Sequence, residues 1–251
     1  MEEYITSRKN PLIAQVRRLL ASRREREREG LFVADGTKLL QEAVTYCSGL
    51  RTVIMTEDVH CQLPPRVRRV YVPQDVMASV SPMASPQGAL FVCEMPPKQP
   101  FSPSAPMLLL DGIQDPGNLG TILRTADAME VPVALLEGCA DPYSHKTVRA
   151  SMGAVFRTAV VQVDWDTARQ ALAQAGIPVG VTALSDRAED IRHARLEEMA
   201  VVIGSEGQGV RPEILQQADR ALIIPMSARC ESLNAAVAAT IVAWQMRCGR
   251  P

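Results

Sequence analysis

Val201-Val202-Ile203 and Leu222-Ile223-Ile224 are short strands with apolar side chains on both faces. A strand apolar on both faces must be covered on both, so it belongs inside a parallel sheet flanked by helices. The second half of the chain repeats this pattern. Met107–Leu110, Val133–Leu136, Ala159–Val163, Pro178–Thr182, Ala200–Ile203 and Ala221–Ile224 read as strands. Asn118–Met129, Lys146–Met152, Thr167–Ala175, Pro212–Gln217 and Ser232–Met246 read as the helices between them. The spacing predicts an α/β domain with a mostly parallel sheet. In such sheets ligands sit at the carboxyl ends of the strands.

Pro96, Pro97, Pro100, Pro103 and Pro106 crowd one short segment. Proline blocks both helix and central strand, so residues 96–106 read as an extended linker. It separates a domain at 1–95 from one at 107–251. The first domain opens with a helical segment, Asn10–Glu29, whose apolar positions are Leu12, Ile13, Val16, Leu19 and Leu20. From Arg8 to Glu29 eight basic residues face three glutamates, a local charge of +5. Short strands at Leu31–Ala34, Val53–Met55, Val70–Val72 and Ala89–Val92, with helices at Thr37–Cys47 and Gln74–Val80, predict a small α/β domain.

Composition narrows the function. The net charge of the whole chain is -1, which excludes a protein that coats nucleic acid by bulk positive charge. Six cysteines without a CxxC pair and only three histidines argue against a zinc site. They read as reduced thiols of a cytoplasmic protein. No secretory leader is visible, and no apolar run approaches the roughly 18 residues of a membrane helix.

Three strand ends carry polar chemistry. The first is Leu110-Asp111-Gly112 running through Asp115-Pro116-Gly117 to Asn118, at a helix start. Side-chain oxygens cap free amides at that position. Arg124 lies six residues on, about 120° away around the helix. The second is Ile203-Gly204-Ser205-Glu206-Gly207-Gln208-Gly209, with spacing GxxGxG. That is neither the dinucleotide fingerprint nor a Walker loop. The third runs from Ile224-Pro225-Met226 to Ser232-Leu233-Asn234, where Ser232 reads as the N-cap of the last helix. Each taken alone fits a capped helix or a tight turn as well as a ligand site. Together they point to one site, and His60, His145 and His193 lie too far apart in sequence to suggest a rival.

DPGNLGTILRTA, IGSEGQGV and IPMSARCESLNAAVAA resemble, in order, the three motifs of the SpoU/TrmH family of RNA ribose 2′-O-methyltransferases. Lys146–Val160 is similar to the family's middle region. Phe32-Val33-Ala34-Asp35-Gly36 resembles the opening of the small L30e-like RNA-binding domain often placed before it. There the family commonly shows Glu-Gly. The resemblance implies a C-terminal segment tucked into a deep trefoil knot and S-adenosylmethionine as methyl donor. It implies a homodimer formed through the catalytic domain, with no metal and no membrane. Gly204, Ile224 and Leu233 would contact the donor, with Thr182 and Met226 beside them. Arg124 would be catalytic, with Asn118, Glu206, Ser232 and Asn234 around it. The two-domain layout favours ribosomal RNA, 23S in particular, with Arg8, Lys9, Arg17, Arg18 and Arg149 meeting its phosphates. A tRNA target and a non-catalytic ribosome-assembly protein are the alternatives.

Overall fold

A computed structural model describes residues 2–183, 188–205, 207–227, 229–230 and 232–248. In chain order the elements begin with β1 (Glu2–Tyr4), α1 (Pro11–Ala21), α2 (Arg23–Glu29), β2 (Leu31–Asp35) and α3 (Thr37–Tyr46). Then come β3 (Leu50–Met55), β4 (Arg68–Tyr71), α4 (Gln74–Val80), β5 (Ala89–Glu94), β6 (Met107–Leu110) and α5 (Pro116–Met129). Next are β7 (Val133–Leu135), α6 (His145–Ala150), α7 (Ala154–Arg157), β8 (Val161–Gln162), α8 (Trp165–Gln174) and β9 (Val179–Thr182). The series closes with β10 (Glu189–Asp190), a 3-10 turn at Leu196–Glu198, β11 (Ala200–Ile203), α9 (Pro212–Gln217), β12 (Arg220–Ile223) and α10 (Ala235–Cys248). These form two compact units, one of Met1–Pro97 with Asp141–Arg157, the other of Lys98–Ala140 with Thr158–Pro251.

The first unit holds a five-stranded sheet in the order β1-β4-β3-β5-β2. Only β5 runs antiparallel to its neighbours. One helical segment was expected over Asn10–Glu29, and two helices form. Ser22 is extended (φ -136°), and its hydroxyl accepts the amide of Glu25, so it ends α1 and caps α2. Gly30, left-handed at φ 64°, stops α2. Leu12, Ile13, Val16 and Leu19 of α1 and Val76, Met77 and Val80 of α4 are buried against Val33, Ile54, Val70 and Leu90 of the sheet. Residues 141–157 belong to this unit through aromatic packing. Phe32 lies 5.1 Å from the Tyr143 ring and 6.3 Å from that of Phe156, and Phe91 also meets Phe156. Arg26, buried, donates from Nε to Asp141 at 2.9 Å.

Asp35 ends β2 in a buried position, and its Oδ1 has no hydrogen-bond partner among the described residues. Burial raises its carboxyl pKa, against the opposing pull of Arg149 and His145. Folding therefore favours the protonated acid. The contribution of this one group to stability is greatest below the unfolded value of about 3.9 and is lost as pH rises through the raised folded value. Asp35→Asn removes this penalty. It is expected to melt higher than wild type at about pH 7, with the two curves converging near pH 4. Parallel melting-versus-pH curves contradict the assignment.

The second unit is a seven-stranded sheet, β10-β12-β9-β11-β6-β7-β8, and every adjacent pair is parallel. Val202, Leu109, Val181 and Ala134 line one face and pack under Trp165, Leu172 and Ile214 of the helices. On α5 and α10, Thr125 and Thr240 share a hydroxyl hydrogen bond of 3.2 Å. Among the described residues no helix is long and apolar enough to cross a membrane. None of them form a group of three or more His, Cys, Asp or Glu able to hold a metal ion.

Candidate functional site

The carboxyl ends of β9, β11 and β12, adjacent in the sheet, open into a cleft of about 430 Å³. This is where a parallel sheet exposes main-chain groups not used in the ladder. Ile203, Leu222 and Leu215 give it apolar walls, while Gly204, Gly207 and Gly209 give it a main-chain edge. Thr182, Ile224, Met226, Ser232 and Leu233 line it as well. Thr182 is held by a 3.2 Å bond from its hydroxyl to the carbonyl of Val202. Glu206 lies outside the described residues.

The glycine loop folds back on itself. The amide of Ser205 donates to Gly209 at 3.1 Å, and that of Gly209 donates to Ser205 at 2.9 Å. Gly209 is left-handed at φ 69°. At Gly204 a Cβ would lie 2.1 Å from the carbonyl carbon of Gly209 and 2.3 Å from the nitrogen of Val210. No side chain fits in that seam. Just beyond it, Arg211 ties the loop to the end of β6. Its amide donates to Asp111 at 2.8 Å and its Nε to the same carboxylate at 2.6 Å, while an Nη donates to Glu137 at 2.8 Å. Asp111 is only 1% exposed, so the carboxylate of this charge-assisted pair is shielded from water while Arg211 stays partly exposed. Sequence reading did not single out either partner, because they lie 100 positions apart. Cys139 sits nearby against the Leu110 carbonyl, and burial pushes its thiol up to about 11, which keeps it protonated and unreactive.

Both expected helix caps are reassigned. Asp115, not Asn118, caps α5, accepting the Asn118 amide at 2.7 Å with Pro116 in the first turn. The Asp-Pro pair at 115–116 is a readable start signal, since proline is pre-set for the first helical position. Asn234, not Ser232, caps α10. Its Oδ1 accepts the amides of Ala236 at 3.0 Å and Val237 at 3.3 Å. That orients its Nδ2, which donates to Asn118 Oδ1 at 3.0 Å. Two motifs 116 residues apart are thus joined by their asparagines. Replacing Asn234 with alanine removes both the cap and this bond, whereas Asn118→Ala removes this bond and leaves the cap. Urea denaturation is expected to show Asn234→Ala less stable than Asn118→Ala by about 1 kcal/mol. Equal losses contradict the capping role.

Arg124 is exposed on α5 and has no hydrogen bond or ion pair among the described residues; it does not line the cleft. Of the basic residues in the first unit, Arg8 is paired with Asp75 at 2.8 Å. Arg17 donates to the Arg8 carbonyl and to Ser79. Arg18 lies 3.7 Å from Glu25 and 3.6 Å from Glu29. Lys9 and Arg149 are exposed.

Residues 105–244 match the SpoU rRNA Methylase family, and residues 10–90 match an MRM3-like substrate binding domain. The chain is 31% identical, over 98% of its length and 99% of the relative's, to the Bacillus subtilis 23S rRNA (guanosine(2553)-2'-O)-methyltransferase RlmP. An AdoMet-bound rRNA methyltransferase from Sinorhizobium meliloti superposes with a TM-score of 0.86 at 27% identity, covering 98% of this chain and 97% of that one. AviRb of Streptomyces viridochromogenes, a SpoU methyltransferase in complex with AdoMet, gives 0.81 at 25% identity, covering 95% and 97%. The fold is therefore that of an RNA methyltransferase using S-adenosylmethionine. The chain belongs to the SpoU rRNA methylase family.

Proposed function

We propose that this chain moves the methyl group of S-adenosylmethionine onto a ribose 2′-hydroxyl of 23S ribosomal RNA. The observation that carries the reading is the cleft at the ends of β9, β11 and β12, edged by a glycine loop that leaves no room for a Cβ at Gly204. Apolar walls suit the adenosine of the donor. No lysine or arginine lines the cleft among the described residues, which suits a sulfonium cation. Gly204, Ile224 and Leu233 hold the donor through main-chain groups, with Thr182 and Met226 at its edges.

When bound, S-adenosylmethionine supplies a methyl group already activated by positive sulfur. The chain's task is then to position the acceptor and stabilise its charge. A ribose hydroxyl is a weak nucleophile until negative charge on its oxygen is stabilised. Arg124 meets the RNA phosphate beside the reactive ribose and stabilises that charge, since a guanidinium is a permanent cation rather than a base. Asn118, Asn234 and Ser232, with Glu206, frame the acceptor. With the donor bound, these residues would hold the 2′-oxygen in line with the methyl, so that an O–C bond could form as the S–C bond breaks and the hydroxyl proton could pass to water.

Residues 1–95 serve as an L30e-like RNA-binding domain, 96–106 as a linker and 107–251 as the catalytic domain, with a C-terminal trefoil knot. The three motifs, in the family's order, support the knotted arrangement. A homodimer forms through the catalytic domain. Val237 and Trp244, seven residues apart on one face of α10, stay 47% and 55% exposed and supply an apolar surface for a second copy. Likeness to a bacterial 23S rRNA methyltransferase supports work in the cytoplasm. The substrate is tested by incubating the protein with labelled donor and, separately, unmodified 23S rRNA, 16S rRNA and tRNA. Label in 23S rRNA alone is expected. Label in tRNA alone overturns the substrate and keeps the chemistry.

A further inference from the structure

Far apart in sequence, Tyr4 and Tyr71 meet in the fold. They are register partners on the edge strand β1 and on β4, with ring centroids 5.3 Å apart and planes 25° from parallel. Tyr4 is 63% exposed. The pair walls a cavity of about 590 Å³ at the carboxyl end of these strands. Its polar groups come from Thr56, Glu57, Asp58 and Gln74. Neither phenol hydroxyl, nor the Gln74 amide, has a hydrogen-bond partner among the described residues. Two cations follow Thr6, another lining residue: Arg8, whose guanidinium is paired with Asp75, the neighbour of Gln74, and then Lys9. Lys9 is exposed.

We infer that this cavity takes one unpaired nucleotide of the RNA substrate, its base stacked on the tyrosines and its phosphate facing Lys9. The inference rests on the reading that RNA is the substrate. Base stacking on aromatic rings is the main sequence-tolerant attraction for single strands, and it needs an open ring face. Carboxylates and an amide at the same place accept from and donate to a base edge, and the carboxylates disfavour a phosphate deeper in the cavity. Strand pairing accounts for the contact between the two rings. It asks nothing of the open faces or of the polar cavity. The composition, with only 4% aromatic residues, hides such a platform, because it forms only when β1 pairs with β4.

The test uses the full chain and a fluorescein-labelled RNA decamer, single-stranded or annealed to its complement, read by anisotropy. Calorimetric binding of S-adenosylmethionine reports on folding. Wild type is expected to prefer the single strand. Tyr4→Ala and Tyr71→Ala should weaken it about tenfold and leave duplex binding unchanged, while Tyr4→Phe stays within about twofold. If Tyr71→Ala loses donor binding, Tyr4→Ala on the exposed edge strand decides. Single-strand affinity unchanged in Tyr4→Ala, or an equal loss on the duplex, overturns the site and leaves the RNA reading intact. Failure of the wild type to bind either RNA overturns both.

Discussion

Replacing Arg124 with alanine is expected to lower the rate of methyl transfer by about 10²- to 10³-fold and to leave S-adenosylmethionine binding within about twofold of wild type. The split follows from where the residue sits. Arg124 is exposed on α5 and does not line the cleft, so its loss removes nothing the donor touches. What is lost is a cation with no partner of its own among the described residues. A charge not committed among the described residues is available to a phosphate and to the oxygen that becomes negative during transfer. Single-turnover kinetics with calorimetry checks both halves. Arg124→Lys keeps the charge but loses the planar fork, so an intermediate rate is expected. A wild-type rate in Arg124→Ala removes Arg124 from the mechanism altogether.

Gly204→Ala is expected to abolish donor binding and to lower stability by about 1–3 kcal/mol, the usual range for forcing an atom into a packed site. The obstacle is main chain, at 2.1 Å and 2.3 Å from the new carbon, and main chain closed by the paired Ser205 and Gly209 amides cannot swing aside as a side chain would. The loop must open, and the edge of the cleft opens with it. Gly207 supplies the control. It lines the same cleft, yet a Cβ there meets nothing within 4 Å. Gly207→Ala should therefore bind the donor within about twofold of wild type. Retained binding in Gly204→Ala would mean that the seam is not part of the donor site.

The central strands of the second unit were legible because they are apolar on both faces, whereas β10, the acidic pair Glu189–Asp190 at the sheet edge, was not. Ala200–Ile203 and Met107–Leu110 were read at their observed bounds. Helix α4 was equally clear from Val76, Met77 and Val80. Strand β1 was not legible, since Glu2–Tyr4 is short and polar and is a strand only by pairing with Arg69–Tyr71. The helix starts failed for a common reason. At 115–118 and at 232–234 more than one residue is able to cap, and backbone geometry chooses among them. Asp115 took α5 and Asn234 took α10, which set the two asparagine side chains against each other. Likewise nothing local marks residues 141–157 as partners of the first unit. Phe156 is an ordinary apolar residue until it meets Phe32 and Phe91. The glycine spacing at 204–209 located the cleft, but the reason for Gly204 is a contact with Gly209 and Val210 that exists only in the folded loop.

The central claim concerns which atom receives the methyl group. Purified protein, S-adenosylmethionine carrying a labelled methyl and unmodified 23S rRNA are incubated together, and the RNA is digested to nucleosides for mass spectrometry. Label on a ribose, in a 2′-O-methylnucleoside that disappears with Arg124→Ala, is the predicted result. Label on a base, or a 2′-O-methylnucleoside formed equally well without Arg124, would contradict the account.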